Sequence, residues 1–216
     1  MTDATDEPRL ARLEAIARER SAGADPAHDF QHVRRVAASA RAIAAAERAD
    51  AVTAVAAALL HELFNYPKDH PDSARSGDVC AEHAREVLRA EGWPAPRIEA
   101  IGYCIQVHGF SRGILPQTLE ARVLQDADRL DAIGAVGVAR CFATAPVMKS
   151  AFYHADDPFG RSGRALDDRR FAVDHFYRKL LLIEERLHTA AARALAAERT
   201  RFMREFLAQL EREIIS

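Results

Sequence analysis

The sequence AVTAVAAALLHELF, residues 51–64, decides the fold class. Residues 51–60 are almost all alanine, valine or leucine, and neither glycine nor proline interrupts them. An apolar run of this length is typical of a buried helix, because strands are usually shorter. Asp50 suits the N-cap position and Pro67 blocks continuation, so the sequence predicts a central helix from about Asp50 to Phe64.

Helical periodicity continues on both sides of this central helix, with apolar residues spaced three and four apart. A first amphipathic helix carries Leu10, Leu13 and Ala17 and stops at Ser21. Further segments are predicted as helices at about 26–47, 78–91, 96–107, 118–131 and within 171–216, and as a polar surface loop at 155–168. Because no segment shows the alternation typical of a strand, the sequence predicts an all-α helical bundle in a single domain, 1–216.

The charge balance and the cysteines narrow the function classes. The formal net charge is −2, so no global basic field attracts the chain, and neither nucleic acid nor a membrane is expected as a partner. Cys80, Cys104 and Cys141 stand singly, which argues against a disulfide framework and a zinc ribbon. The first residues lack the apolar segment of a secretory signal, and no apolar run approaches the roughly 20 residues of a membrane span. These features predict a cytoplasmic protein with reduced thiols.

A histidine and a carboxylate, His61 and Glu62, close the predicted central helix. At the edge of an apolar core an ionised carboxylate is costly unless it is paired or bound to a metal. The alternative is an exposed last turn in which Glu62 is solvated.

Histidines also open the preceding helix. His28 and His32 are four residues apart and therefore lie on one helical face. Taken alone, the pair is weak evidence, since a structural histidine with satisfied hydrogen bonds is commoner than a metal ligand.

Three aspartates, Asp126, Asp128 and Asp131, lie close together in an apolar helical segment. Asp128 and Asp131 are three apart and face nearly the same way. Carboxylates concentrated in such a segment favour cations, although a surface acidic cluster is the alternative. We interpret Asp126 as a structural or supporting residue.

Together, His32, His61, Glu62 and Asp128 supply imidazole and carboxylate ligands from three helices. Such a mixed set of nitrogen and oxygen ligands suits a divalent ion such as Mn, Fe, Co, Ni, Zn or, less well, Mg. The sequence therefore predicts one metal site built from these four residues.

In these motifs the sequence resembles the HD-domain superfamily of metal-dependent phosphohydrolases, whose signature is His, then His-Asp, then Asp. The similarity extends over Asp29-x-x-His32-x-x-Arg35, residues 68–76, 108–111 and 125–134, which look like the stand-alone bacterial subgroup. It covers almost the whole chain, from about residue 27 to 210. The resemblance implies an HD-domain helical bundle with a metal-site core at about 27–140 and C-terminal helices at about 171–216.

One residue departs from the family pattern: the doublet is normally His-Asp, and this chain has His61-Glu62. Glutamate keeps the carboxylate but reaches one methylene farther, which affects the choice of metal and whether one ion or two bind. Two readings stay open. The chain is a phosphohydrolase, or it is a catalytically weakened HD-fold module that binds or senses a nucleotide.

The resemblance and the demands of phosphoryl transfer suggest catalytic residues. In this hypothesis the metal polarises a phosphate oxygen and lowers the pKa of a bound water, which attacks phosphorus. Asp131 or Asp29 orients that water or the ligating histidines. His108 acts as a phosphate donor or a proton shuttle.

Substrate binding is assigned to cationic residues near the motifs. Lys68 and Arg75 lie in the polar loop after the doublet and suit phosphate contacts, with a solvated loop as the alternative. Arg35 is either a further phosphate contact or the partner of a structural ion pair. The resemblance suggests a nucleotide substrate, and residue chemistry leaves open whether phosphate or pyrophosphate is released. The amphipathic C-terminal segment is compatible with a homodimer or with packing on its own domain.

Overall fold

A computed structural model describes residues 6–21, 29–67, 70–109 and 113–214. Its α-helices are α1 (Asp6–Arg20), α2 (Phe30–Glu47), α3 (Ala51–Leu60), α4 (Ser76–Ala90), α5 (Ala95–Val107), α6 (Leu119–Asp131), α7 (Gly134–Thr144), α8 (Ala172–Arg178) and α9 (Ala190–Ile214). Short 3-10 helices lie at Ser73–Arg75, Leu180–Leu182 and Glu184–Arg186. Within the described ranges the β-structure is limited to one isolated bridge between Ala151 and Phe171, which confirms the all-α class.

The chain divides into two compact units. Unit 1 comprises residues 1–128 and 188–191, and unit 2 comprises 129–187 and 192–216. Two of the three boundaries, 128/129 and 191/192, fall inside helices α6 and α9, and the third, 187/188, precedes α9. Whether the chain is a single domain, as the sequence predicts, can be tested by measuring whether the two units unfold in one cooperative transition. No helix in the described part of the chain has the length and hydropathy needed to cross a membrane.

Helix α3 is the centre of unit 1. Residues 52–60 are all buried, and α3 packs against α1, α2 and α5. Its start is fixed by Asp50, whose side chain accepts hydrogen bonds from the backbone N–H groups of Val52 and Thr53. This N-cap was predicted from the sequence and is confirmed.

The end of α3 differs from the sequence prediction. The helix stops at Leu60 rather than at Phe64, and its last turn tightens into a bond from the N–H of Leu63 to the carbonyl of Leu60. The Cys80 Sγ, on α4, donates to the carbonyls of Leu60 and His61 at 3.4 and 3.2 Å. The thiol thus gives a hydrogen-bond partner to carbonyls that have none within the helix. The His61-Glu62 doublet lies in the turn that follows.

Aromatic packing and close backbone approach characterise unit 2. The rings of Phe142, Phe176 and Phe206 contact one another at centroid distances of 5.9–6.1 Å. A Cβ added at Gly137 would clash with the carbonyl oxygen of Ala132. A side chain at this position would displace the backbone, so glycine is required there.

Candidate metal centre

Two imidazoles face each other in unit 1. The Nε2 atoms of His32, from α2, and His61, from the turn after α3, lie 3.2 Å apart. Two nitrogens that bind one ion at about 2.1 Å with an angle near 100° are separated by about 3.2 Å. The spacing of the two rings therefore matches a shared metal ion.

The protonation of His61 supports this geometry. Its Nδ1 lies 2.7 Å from the carbonyl oxygen of Ala58. Because a carbonyl only accepts, the ring proton is on Nδ1, and the lone pair on Nε2 points toward His32 and is open to a metal. Burial lowers the pKa of His61 to about 4, so the ring is neutral at physiological pH.

The carboxylates of Asp128 and Glu62 each approach both imidazoles. The Oδ1 of Asp128 lies 3.5 Å from Nε2 of His32 and 3.9 Å from Nε2 of His61. The Oε1 of Glu62 lies 3.9 and 3.8 Å from the same two atoms. All of these separations fall below the roughly 4.2 Å between ligands on opposite sides of one ion.

The two histidines of the site are buried, whereas Asp128 is partly accessible to solvent. The side chains of His32 and His61 are 1% and 0% exposed, that of Glu62 is 11% exposed, and that of Asp128 is 28% exposed. Glu62 is thus not the solvated residue that an exposed last turn would give. Ligand atoms of His32, His61 and Asp128 lie within 4.8 Å of one another. Two buried imidazoles and a carboxylate fit a divalent ion, and three protein ligands leave coordination positions for further ligands.

Known proteins resemble this chain over most of its length. The HD domain family model matches residues 29–133. The Bacillus subtilis (strain 168) protein YpgQ is 35% identical over 206 residues, which are 94% of this chain and 90% of YpgQ. The chain belongs to the HD-domain family.

Solved structures extend the similarity of this HD-domain chain beyond the matched segment. The crystal structure of YpgQ in complex with ADP has a TM-score of 0.77 and 32% sequence identity, and the alignment covers 97% of each chain. An HD-superfamily hydrolase from Bacillus thuringiensis has a TM-score of 0.75 and 25% identity over 96% of this chain and 97% of its own. The chain thus has the fold of HD-superfamily hydrolases.

Asp29, one of the predicted catalytic residues, lies at the start of the helix that carries His32. Its Oδ1 accepts a hydrogen bond of 2.9 Å from the backbone N–H of His32 and serves as the N-cap of α2. This bond fixes the first turn of α2 and with it the direction of the His32 ring.

Asp126 and Gln125 have structural partners that the sequence did not reveal. The buried Asp126 carboxylate accepts from the N–H of His188 and from both the N–H and hydroxyl of Thr189, at 2.7–3.1 Å. Gln125 donates to the carbonyls of Val107 and Ile114, and its Oε1 lies 2.9 Å from Nε2 of His188. Both residues thus hold the segment that leads into α9. Thr189 before an alanine-rich run is the only local signal of this helix start.

Two further candidates lie on α6 and α2. Asp131 is buried in unit 2 and forms an ion pair with Arg140 at 2.6 Å. Arg35 is half-buried on α2, one helical turn after His32.

Two of the remaining candidates lie at helix ends: His108 directly follows α5, and Arg75 ends the 3-10 helix Ser73–Arg75. The Nδ1 of His108 lies 2.5 Å from the carbonyl oxygen of Ile105, and the His108 ring meets that of His61 edge-on at 5.3 Å. The side chain of Arg75 is 68% exposed and has one weak ion pair, with Asp72 at 4.0 Å. Lys68 and His28 lie outside the described residues.

Proposed function

We propose that this chain is a metal-dependent phosphohydrolase that acts on a phosphate ester or anhydride of a nucleotide. One observation carries the proposal: imidazole nitrogens of His32 and His61 and the carboxylate of Asp128 converge at the spacing of ligands to one ion. Glu62 lies near both imidazoles but outside this three-residue cluster, and it would be a further oxygen donor.

The comparisons support the substrate class. YpgQ, which matches this chain over almost its full length, has been crystallised in complex with ADP. ADP carries both a phosphate ester and a phosphoanhydride. The proposed substrate of this chain is therefore a nucleotide. Measuring phosphate and pyrophosphate release identifies which bond is cleaved.

His32, His61, Glu62 and Asp128 would hold the ion. A divalent ion there supplies Lewis-acid activation of a phosphate group and of water. The buried imidazole of His61 would be a neutral ligand because desolvation keeps the proton off its ring. Asp29 positions the turn that carries His32.

The open side of the site is where phosphate would enter. Asp128 is the most exposed of the four ligands, so the approach from solvent is on its side. His108 packs on His61, and its proton on Nδ1 is held by the carbonyl of Ile105. Its Nε2 then accepts a proton or, once protonated, donates to a phosphate oxygen. Arg75 is exposed and available for a phosphate contact.

Turnover of the purified chain tests the proposal. The protein is loaded with Mn²⁺, Co²⁺, Ni²⁺ or Mg²⁺ and incubated with nucleoside mono-, di- and triphosphates and cyclic nucleotides, and phosphate and pyrophosphate are measured. We expect release with at least one metal, and a loss of at least 100-fold in His61→Ala and Asp128→Ala. Asp156→Ala, which changes an exposed aspartate in unit 2, is the control and should retain activity.

A second candidate function is a nucleotide sensor that binds without hydrolysis. Glu62 at the position where the family normally has aspartate favours this alternative, since a shifted carboxylate weakens metal activation. Saturable nucleotide binding with no product under any of the four metals would replace the phosphohydrolase proposal by the sensor.

A further inference from the structure

A cavity of about 570 Å³ opens in unit 2, apart from the residues of the metal centre. Four arginines and two aspartates line it, together with His154 and Phe171. The cavity is therefore locally cationic on a chain whose formal net charge is −2. Such a local excess of guanidinium groups attracts anions.

The carboxylates around this cavity are already engaged. Asp174 is fully buried and receives two bonds of 2.7 Å from the guanidinium of Arg164. Asp168 pairs with Arg178 at 3.1 Å and with Lys179 at 2.8 Å. These ion pairs fix the wall of the cavity.

The third carboxylate, Asp167, caps the turn that carries two further arginines. Its Oδ1 accepts from the backbone N–H groups of Arg169 and Arg170 at 3.1 and 3.3 Å. The side chains of Arg169 and Arg170 are exposed, and within the described ranges no carboxylate lies at ion-pair distance from either. The turn thus contributes to the cavity lining two arginines, consecutive in sequence, that have no carboxylate partner among the described residues.

Two ring side chains complete the cavity wall. The guanidinium of Arg170 lies 5.4 Å from the centroid of Phe171, which favours one orientation of that long side chain. The Nδ1 of His154 accepts from the N–H groups of Asp156 and Asp157, so its ring proton is on Nε2. The Nε2–H of His154 therefore adds a neutral donor to the two guanidinium groups of Arg169 and Arg170.

We propose that this cavity binds a phosphate-bearing anion through Arg169 and Arg170, independently of the metal centre. Guanidinium groups match phosphate oxygens with paired N–H donors and stay charged at every physiological pH. Two adjacent guanidiniums favour a ligand with more than one phosphate charge. Inorganic pyrophosphate and a nucleoside diphosphate share this chemistry.

Titration calorimetry on the metal-free full-length chain tests the site. The protein is dialysed free of metal and titrated with inorganic phosphate, pyrophosphate and ADP. The variant Arg169→Gln/Arg170→Gln removes the two open charges, and Arg201→Gln/Arg204→Gln, at exposed positions of α9, removes the same charge elsewhere. Asp128→Ala separates this site from the metal centre.

We expect saturable pyrophosphate binding that weakens at least tenfold in the Arg169/Arg170 variant and less than twofold in the Arg201/Arg204 and Asp128 variants. Tighter binding of ADP than of pyrophosphate, with the same dependence on Arg169 and Arg170, would identify a nucleotide as the ligand. Equal affinities would identify the phosphate group alone. No saturable binding, or equal losses in the two double variants, would overturn the proposal. Turnover by the metal centre is a separate measurement, so failure here leaves the phosphohydrolase proposal intact.

Discussion

Glu62 has one methylene more than the aspartate that the family normally has at this position, and this extra length affects how well the proposed site fits a metal ion. Its Oε1 lies at 3.8–3.9 Å from the Nε2 atoms of His32 and His61, so the side chain reaches toward the proposed metal site from the turn after α3. Glu62→Asp keeps the charge and retracts the oxygens, whereas Glu62→Gln keeps the length and removes the charge. We expect metal affinity to fall by about tenfold in each, because ligand distances tolerate only about 0.2 Å.

Calorimetric titration of Mn²⁺ or Ni²⁺ into the two variants measures these losses. An affinity for Glu62→Asp equal to or higher than that of the parent would show that the turn adjusts to either acid. Glu62 would then be an interchangeable ligand, and its length would carry no consequence for the site.

His61 makes the stability of the metal-free chain depend on pH. Its pKa falls from 6.5 in the unfolded chain to about 4 in the folded one because burial opposes the charged form. The unfolded chain therefore binds the proton more readily, and stability is lost as pH falls below 6.5 toward 4. Between pH 7 and pH 5 we expect a loss of about 2 kcal/mol from this group.

Urea unfolding of the metal-free chain at both pH values, beside the variant His61→Asn, isolates the contribution. Asparagine keeps an N–H donor near the carbonyl of Ala58 but does not titrate, so the variant should lose about 2 kcal/mol less than the parent over the same range. An identical pH dependence in the two proteins would assign the effect to other groups.

At the residue scale, the sequence predicts the types and positions of the candidate metal ligands. His32, His61 and Asp128 stand in apolar helical segments where a charged or polar group needs a partner, and the family resemblance joins them. The convergence of their atoms in unit 1 bears out the cluster as a candidate metal site. The tautomer of His61 was not accessible, because it depends on the direction of one carbonyl in the folded turn.

At the scale of elements, Asp126 links α6 to the start of α9. Its carboxylate accepts from three donors: the N–H of His188, which is shared between both oxygens, and the N–H and hydroxyl of Thr189. In Asp126→Ala two backbone N–H groups lose their acceptor in a buried setting. We expect a loss of unfolding free energy of about 2–4 kcal/mol.

Urea unfolding of Asp126→Ala and Asp126→Asn measures the loss. The asparagine variant retains an acceptor oxygen and should be destabilised less, and the exposed Asp156→Ala should change stability by less than about 0.5 kcal/mol. If alanine at position 126 were tolerated as well as alanine at 156, the carboxylate would not anchor α9.

Local signals explain which helix boundaries the sequence predicted. Asp50 starts α3 and Pro94 precedes α5, since caps and prolines act within a few residues. The end of α3 depends on the thiol of Cys80, twenty residues away in sequence from Leu60. The partners of Asp126 are more than sixty residues away. Such long-range contacts leave no periodic or capping pattern in the local sequence.

At the scale of the whole molecule, the two compact units raise the question of whether the chain unfolds as one. The boundaries at 128–129 and 191–192 lie inside α6 and α9, so neither unit can unfold without disrupting a helix that continues into the other. Helix formation is cooperative along the chain. We expect scanning calorimetry to show one transition with a ratio of van't Hoff to calorimetric enthalpy near one; two resolved transitions would contradict the predicted single domain.

Metal binding can show whether the two units unfold together, because all four proposed ligands belong to unit 1 and the ion therefore stabilises that unit directly. An ion at about 100 times its dissociation constant stabilises the folded chain by about 2.7 kcal/mol and raises the melting temperature by roughly 5–10 °C. In a cooperative chain the entire transition shifts, whereas in a chain of independent units only part of the heat absorption moves. The shift should be absent from His61→Ala and Asp128→Ala and preserved in Asp156→Ala. An equal shift in all of these variants would place the ion elsewhere, and the proposed metal centre would then be wrong.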